Sequence, residues 1–291
     1  MKLASLLKDP PPTHAFELSE EGIAFSLVAE PARAEFARLD AGALTASPAH
    51  DNIQQPHAVL ERIHTLVPPN GHRKRRAALI LPDYCARVAV LDFDAFPSQP
   101  HEQLALLRFR MKKSVPFDVD SAIVSYTVQA RGANQKVEVL AAIIASDIVT
   151  EYETPFRAAG FHPGFVTVSS LAALNLIESE GVSLLVKLSG RVLSVLVLDR
   201  AVVKLARCME MDAVGTEEID SVLHPTVAYI EDELNARPER IWLGGFGGDF
   251  GDLASRYQAN WGMAVEPLRS RFGAPGNMNA GLLGYLESVA G

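Results

Sequence analysis

The sequence predicts an α/β protein made of two related halves with a small α+β module set between them. The first observation behind this is a three-strand pattern that occurs twice. Residues 14–39 read HAFELSEEGIAFSLVAEPARAEFARL, and residues 183–207 read SLLVKLSGRVLSVLVLDRAVVKLAR. Each copy is a β-rich run, a tight turn with Gly22 or Gly190, a second run and a third. The second observation is that each copy leads into a helix-like stretch and then another apolar strand. Strands alternating with helices argue for mixed sheets covered by helices. Two such halves imply a cleft between them, where ligands usually sit.

The opening strands end near Leu44, and the polar, Pro-interrupted TASPAHDNIQQP is a loop. His57 to Leu66 reads as a helix, with Val59, Leu60, Ile63 and Leu66 at near-helical spacing, and VPPNGH stops it. Arg76 to Leu81 is a short apolar strand closed by Pro82. Arg87 to Phe93 alternates as a strand, FPSQP breaks the chain, and Ser98 is the expected cap of a helix over Glu102 to Lys113. That helix carries Leu104, Leu107 and Met111 on one face and its cations toward the end, where they suit the dipole. Ala122 to Gln129 and Val137 to Ala145 read as a hairpin around RGANQ. Ser146 to Ala159 is a helix with Ser146 as cap and Gly160 as stop. Phe161 to Ser169 returns as a strand and Ser170 to Ile177 as a helix. After the second three-strand unit come a long helix (Thr216 to Asn235), a buried strand (Ile241 to Leu243), a Gly-rich turn, a helix (Asp252 to Asn260), a strand (Ala264 to Leu268) and a last helix (Asn279 to Leu286). The expected division is residues 1–83 with 161–177 as the first half, 84–160 as the module and 178–291 as the second half.

Composition narrows the function. A hydrophobic fraction of 48% supports a real core, and a net charge of −8 disfavours nucleic acid as a partner. Cys85 and Cys208 lack metal-ligand spacing and read as buried thiols of a reducing compartment. The most apolar run, Val192 to Ala206, contains Asp199, Arg200 and Lys204, so it does not read as a membrane span. MKLASLLKDPPP has too short an apolar stretch for a signal peptide and reads as a frayed terminus or a small amphipathic patch. These features point to a cytoplasmic protein.

The duplicated unit, the strand and Gly-rich turn IWLGGFGGDFGDL, and the inserted module together resemble the actin-like ATPase superfamily, with its two RNase H-like halves. LPDYCARVAVLDFDAFP followed by LLRFRMKKSVPFDVDSAIVSY resembles more specifically the PilM family of type IV pilus assembly proteins. Relatives of that family include FtsA and the cytoplasmic part of GspL. The resemblance runs from about His14 to Leu286, and Leu106 to Tyr126 is its most specific part. It implies nucleotide between the halves. A hairpin turn in each half would present N–H groups and hydroxyls to phosphates, an aspartate at each turn would hold hydrated Mg²⁺, and a Gly-rich turn would admit adenosine.

The implied chemistry is altered here. Where the family has Asp-x-Gly at each turn, this chain has Glu17, Leu18, Ser19 and Lys187, Leu188, Ser189 followed by Gly190. Mg²⁺ takes oxygen ligands, so Lys187 argues against an ordinary Mg²⁺-ATP site. The adenosine-side turn keeps Gly244, Gly245, Gly247 and Gly248. These residues leave three readings: a pseudo-ATPase kept for protein binding; weak ATP binding with Glu17 reaching metal through water; or nucleotide held without Mg²⁺ by the Lys187 ammonium. Lys187 reads equally well as a strand residue whose amine reaches solvent. Taken alone, the glycines read as a tight strand-to-helix connection.

The resemblance also implies a partner, the cytoplasmic tail of a PilN-like inner-membrane protein. The candidate contacts are Arg108, Arg110, Lys113, Val115, Pro116 and Phe117, which read otherwise as a capped helix leading into a turn. The basic run His72, Arg73, Lys74, Arg75, Arg76 reads as a solvated loop or a peripheral contact with the inner membrane. Asp92 with Asp94, and Glu231 to Glu233, read as solvated faces. His162 and His224 each precede proline and read as turns. No catalytic or metal-ligating set stands out. The function expected is a scaffold of a type IV pilus or type II secretion-like machine. The alternatives are an ATPase or phosphotransferase of the same superfold, or an FtsA-like, self-associating filament protein.

Overall fold

The computed structural model describes residues 11–69, 75–131 and 136–290. The first half begins with β1 (His14–Ser19), β2 (Gly22–Leu27), β3 (Glu35–Arg38), α1 (Pro56–Leu66) and β4 (Arg75–Leu81). The module comes next, with β5 (Arg87–Phe93), α2 (Pro100–Met111), β6 (Ile123–Arg131) and β7 (Val137–Ile144). Then come α3 (Ser146–Ala158), β8 (Phe161–Val168) and α4 (Ser169–Ala173), which a 3-10 turn extends to Leu176. The second half holds β9 (Val182–Ser189), β10 (Val192–Asp199), β11 (Val202–Glu210), α5 (Thr216–Glu233), β12 (Arg240–Gly244), α6 (Phe250–Trp261), β13 (Ala264–Pro267) and α7 (Ala280–Val289).

The duplication in sequence is a duplication in topology. One sheet runs β3-β2-β1-β4-β8 and the other β11-β10-β9-β12-β13. In both, three antiparallel strands are followed by two parallel ones. Alternation along the strands sorts side chains into three layers. On the outer face of the first sheet, Phe16, Leu18 and Leu79 pack with Ile63 of α1 and with Tyr152 and Phe156 of α3. On the outer face of the second, Leu184, Val186 and Val195 pack with Leu223 and Ile230 of α5 and Tyr257 of α6. The inner faces share one layer: Ala15, Ala78 and Ile80 from one sheet, Leu185, Leu196 and Trp242 from the other, and Leu282 and Leu283 of α7. Glu17 lies two residues beyond Ala15 and Lys187 two beyond Leu185, so both charged side chains belong to this shared layer.

The module is a separate sheet, β5-β7-β6. One face packs Val139, Ala141 and Ile143 against Leu107 and Met111 of α2. The other gives Val88, Val90 and Leu140 to the layer between the halves. The side-chain amide of Gln129 extends this contact as a strand would. It donates to the Val203 carbonyl and accepts from the Val203 N–H, each at 2.8 Å. Lys204 adds an ion pair with Glu138 at 2.7 Å.

Several local expectations are corrected. Helix α3, expected in the module, places Ile148, Tyr152 and Phe156 in the outer core of the first half. Ser98 does not cap α2; Gln99 precedes the helix and Pro100 opens it, as the fixed φ of proline favours. Ser146 is the first helical residue of α3 and Ala145 occupies the cap. His162 and His224 are not in turns. Pro163 sits on edge strand β8 at a register irregularity opposite Ala77 and Ala78, where a missing N–H is tolerated. Pro225 lies inside α5, and Ser221, whose carbonyl loses its helical donor, is exposed to water. The hairpin tip, residues 132–135, lies outside the described residues.

Helix α7 approaches α4 through Gly281 and Gly284. A Cβ at Gly284 would stand 2.2 Å from the Ala172 carbonyl oxygen, and one at Gly281 would stand 2.8 Å from the Ser169 Cα. Gly284→Ala is therefore expected to force the helices apart and cost about 1–3 kcal/mol, read as a lowered urea midpoint. His14 offers a second check. It packs between the rings of Phe25 and Phe161, and burial, with Arg75 nearby, lowers its pKa from 6.5 to about 4. The neutral ring is favoured in the fold. Its contribution is complete above pH 6.5 and is lost as pH falls through about 4. His14→Phe is expected to flatten the loss of stability over that interval, measured by urea unfolding at each pH.

Candidate functional site

The inner layer contains a buried polar cluster built from both halves. Asp83, just past the end of β4, is its centre and is 5% exposed. Its Oδ1 accepts the Ser170 N–H at the start of α4, at 2.6 Å. Its Oδ2 accepts from Lys187 Nζ at 3.2 Å and from Ser194 Oγ at 2.9 Å. Lys187 is 2% exposed, so its amine does not reach solvent. Burial alone would lower its pKa, but the carboxylates of Asp83 and Glu17 more than offset this and hold the ammonium above the usual lysine range.

Glu17 is buried beside this pair. Its Oε2 accepts the Leu282 N–H in the first turn of α7 at 2.6 Å, and its Oε1 accepts from the Ser169 hydroxyl. Burial raises its pKa, opposed by Lys187, Ser169 and the Leu282 N–H. Each carboxylate thus receives an N–H from the first turn of a helix, where a negative charge is stabilised. Cys208 lies against Ser194 at 3.7 Å; burial and then Asp83 push its thiol up to about 12. Cys85 is buried and also raised, so neither thiol is an activated nucleophile.

The two hairpin turns meet at the mouth of a cleft of about 320 Å³, lined by Ser19, Glu20, Glu21, Arg38, Ser189 and Gly190 among others. The two turn hydroxyls there are already engaged. Ser19 Oγ bridges the N–H and carbonyl of Gly22. Ser189 Oγ donates to the Asn277 carbonyl, and the Asn277 amide donates to Glu21 at 2.9 Å. Gly245 (φ +87°) lies so close to the Leu188 carbonyl that a Cβ would stand 1.9 Å from its oxygen. Its glycine character is explained by backbone packing. Gly244 pairs with Lys187 across the sheet, while Gly247 and Gly248 are exposed. The structure therefore brings together Glu17, Lys187 and Gly244 in the interior and Ser19, Ser189 and Gly190 at the mouth.

The candidate partner residues lie on the module. Arg108 donates to the carbonyls of Val119 and Ala122, and Arg110 lies over the Phe93 ring and donates to the Asp92 carbonyl. Val115 and Phe117 half-bury against the module core, whereas Lys113 and Pro116 are exposed. Of the basic run, His72, Arg73 and Lys74 lie outside the described residues. Arg75 is held over Phe161 at 4.1 Å and donates to the Ala159 carbonyl. Among the described residues no group of acidic, His or Cys side chains could hold a metal, and no helix is long and apolar enough to cross a membrane.

Sequence reasoning missed Asp83, Ser169, Ser170, Ser194 and Asn277. One signal was available for Asp83. It lies just past the carboxyl end of a parallel strand next to β1, the edge where α/β sheets place their ligands.

No protein-family model and no curated protein matches the chain. Solved structures do. A chain of the PilM-PilN type IV pilus biogenesis complex aligns over 97% of this chain and 100% of its own, with a TM-score of 0.71 at 16% identity. A Bacteroides thetaiotaomicron protein with an actin-like ATPase fold and unknown function aligns over 87% and 89%, with a TM-score of 0.51 at 13% identity. The fold is actin-like. The cytoplasmic domain of EpsL, an inner-membrane component of the Vibrio cholerae type II secretion system, is a weaker likeness, with a TM-score of 0.48 at 12% identity over 79% of this chain and 80% of its own.

In this actin-like chain the cluster's evident chemistry is cohesion. Lys187→Met leaves Asp83 buried without its cation and is expected to cost about 3–5 kcal/mol. Adding Asp83→Asn should cost less than the sum of the two single changes, read by urea unfolding. Because the Lys187 pKa is raised, the pair's contribution is complete below 10.5 and is lost as pH rises beyond it.

Proposed function

We propose that this chain is a cytoplasmic scaffold of a type IV pilus or type II secretion-like complex, held at the inner membrane by the cytoplasmic tail of a PilN-like partner, and that its nucleotide site is degenerate. The observation that carries this reading is the buried Lys187–Asp83 pair, which sits where the actin-like pattern expects a carboxylate for hydrated Mg²⁺. The residues present do not fit a magnesium nucleotide. Glu17 has both oxygens engaged by the Ser169 hydroxyl and the Leu282 N–H. The turn hydroxyls are engaged by backbone, and the mouth presents Glu20 and Glu21 against the single cation Arg38 where phosphates would lie. Like charges there would oppose a polyanion.

The likeness to a chain of a PilM-PilN complex supports the partner class. The proposed docking surface is the module stretch Lys113 to Phe117, together with Arg108 and Arg110 of α2, which are tied to the carbonyls of Val119, Ala122 and Asp92. An extended tail would use apolar pockets and free backbone groups there.

The test is calorimetry of the purified chain with ATP, with and without Mg²⁺, and separately with a peptide of the PilN-like tail from the same organism. The expected result is no saturable heat with ATP at concentrations that detect a Kd of about 1 mM, near −4 kcal/mol, and saturable binding of the tail without nucleotide. Mg²⁺-dependent ATP binding would overturn the degenerate site. Binding without Mg²⁺ that vanishes in Lys187→Ala would assign that lysine to phosphate. A tail that fails to bind would overturn the scaffold reading.

A further inference from the structure

A groove opens at the end of the first half opposite its hairpin turn, where β1 and β4 begin and where β2 and α1 end. It occupies about 740 Å³, within the range of ligand sites. Phe25, Leu27, Leu66 and Val67 give it an apolar floor. His14 lies among them, and burial, with Arg75 nearby, keeps its ring neutral above about pH 4.

Arg75 stands in one wall of the groove and is half-buried. Its guanidinium lies over the Phe161 ring at 4.1 Å and donates once to the Pro68 carbonyl, at 3.2 Å, and once to the Ala159 carbonyl, at 2.9 Å. These contacts hold the cation in place without neutralising it. Arg75 has no ion pair among the described residues, and burial, with no acid to oppose it, pulls its pKa below the usual arginine range. A charge drawn out of water calls for a partner. A guanidinium has five N–H donors, so donors remain after two bonds, and the Nε–H of Arg75 is neither bonded nor buried. The other charges are disposed around it. Arg33 and Glu30 satisfy each other at 3.0 Å on the rim. Arg76 lines the same wall as Arg75, and Glu35 stands across the sheet on β3. Three strand spacings separate β3 from β4, about 14 Å, so the groove is cationic at one end and carries a lone acid at the other.

We propose that this groove binds a long-chain aliphatic carboxylate, with its acid on Arg75 and its chain along Phe25, Leu27, Leu66 and Val67. One negative charge balances the one guanidinium that lacks a counter-ion, through a charge-assisted hydrogen bond. A polyanion would meet Glu30 and Glu35 as well. A peptide strand has nothing to pair with here. Strands β1, β2 and β4 each have a neighbour on both sides, and Thr13 carries their ladder to the rim by donating to the Arg76 carbonyl and accepting the Val28 N–H. The ligand that fits therefore brings an acid and a hydrocarbon chain and no backbone. The site is separate from the surface proposed for the PilN-like tail and does not depend on that reading.

The probe is sodium decanoate, kept below its micelle concentration and titrated calorimetrically into the full chain at neutral pH. One saturable site is expected, tightening by about fourfold per methylene from hexanoate to decanoate. Decyltrimethylammonium, which has the chain and the opposite charge, should bind far more weakly. Arg75→Gln should reduce decanoate affinity about tenfold, with an unchanged melting curve to show that the variant is folded. The chain-length and charge comparisons use the unaltered protein and stand even if that variant does not fold. His14 reports the location: its ring signal in NMR, identified by its loss in His14→Phe, should shift with the same saturation as the heat. Absence of saturable heat would overturn the proposal, as would decyltrimethylammonium binding as tightly as decanoate. So would an equal affinity in folded Arg75→Gln, or a His14 signal that does not move. Displacement of decanoate by phosphatidylglycerol vesicles would overturn the free acid as ligand in favour of a membrane surface.

Discussion

The organisation of this molecule depends on one carboxylate. Asp83 is buried between the halves and has both oxygens committed, one to the first turn of α4 and the other to Lys187 and Ser194 of the second sheet. A buried charge is tolerated only when it is paired and fully hydrogen-bonded. Those conditions fix geometry as well as energy. If the second sheet rotated away, Lys187 and Asp83 would both lose their partner in a layer that water does not reach. The inner layer can therefore contain charge only while the halves stay together.

Four further contacts act in the same direction from different places. Gln129 joins the module to Val203 as an extra ladder rung, and Lys204 pairs with Glu138 beside it. Asn277 ties the loop before α7 to Glu21 at the first hairpin turn. Glu17 then fixes α7 itself by accepting the Leu282 N–H. The module thus bridges the halves as a third wall of the inner layer. Opening the cleft would require these bonds to break along with the Asp83 pair. Each is worth about 1 kcal/mol alone, but they share one rigid displacement, so they resist it together.

Much of this was legible in the sequence, for identifiable reasons. The duplicated three-strand unit is local, and alternation with period two assigns Phe16 and Leu18 to one face and Ala15 and Glu17 to the other. The same parity places Lys187 on the inner face; it cannot say whether the amine meets solvent or an acid. That answer lies 104 residues away, at Asp83, and no local pattern encodes it. Helix α3 is misplaced for a related reason. The spacing of Ile148, Tyr152 and Phe156 tells which face is apolar and not which core receives it. The proline readings fail where tertiary context decides: Pro163 on an edge strand, and Pro225 on the wet side of α5. Gly281 and Gly284 carry no signal in the sequence, because a small residue in a helix is informative only once the facing backbone of α4 is known.

Glu17 shows how this actin-like fold ties a buried acid to a helix terminus. A shorter aspartate at that position would have its carboxylate one methylene farther from α7. The longer side chain meets the Leu282 N–H, where the helix dipole favours it. Across the layer, the cation at 187 is the partner that lets Asp83 be buried. The two departures from the Asp-x-Gly pattern therefore act together. One links an acid to a helix terminus, the other supplies a cation to an acid, and both hold the inner layer together. On that logic the exposed turn of the module, Lys113 to Pro116, lies outside the layer.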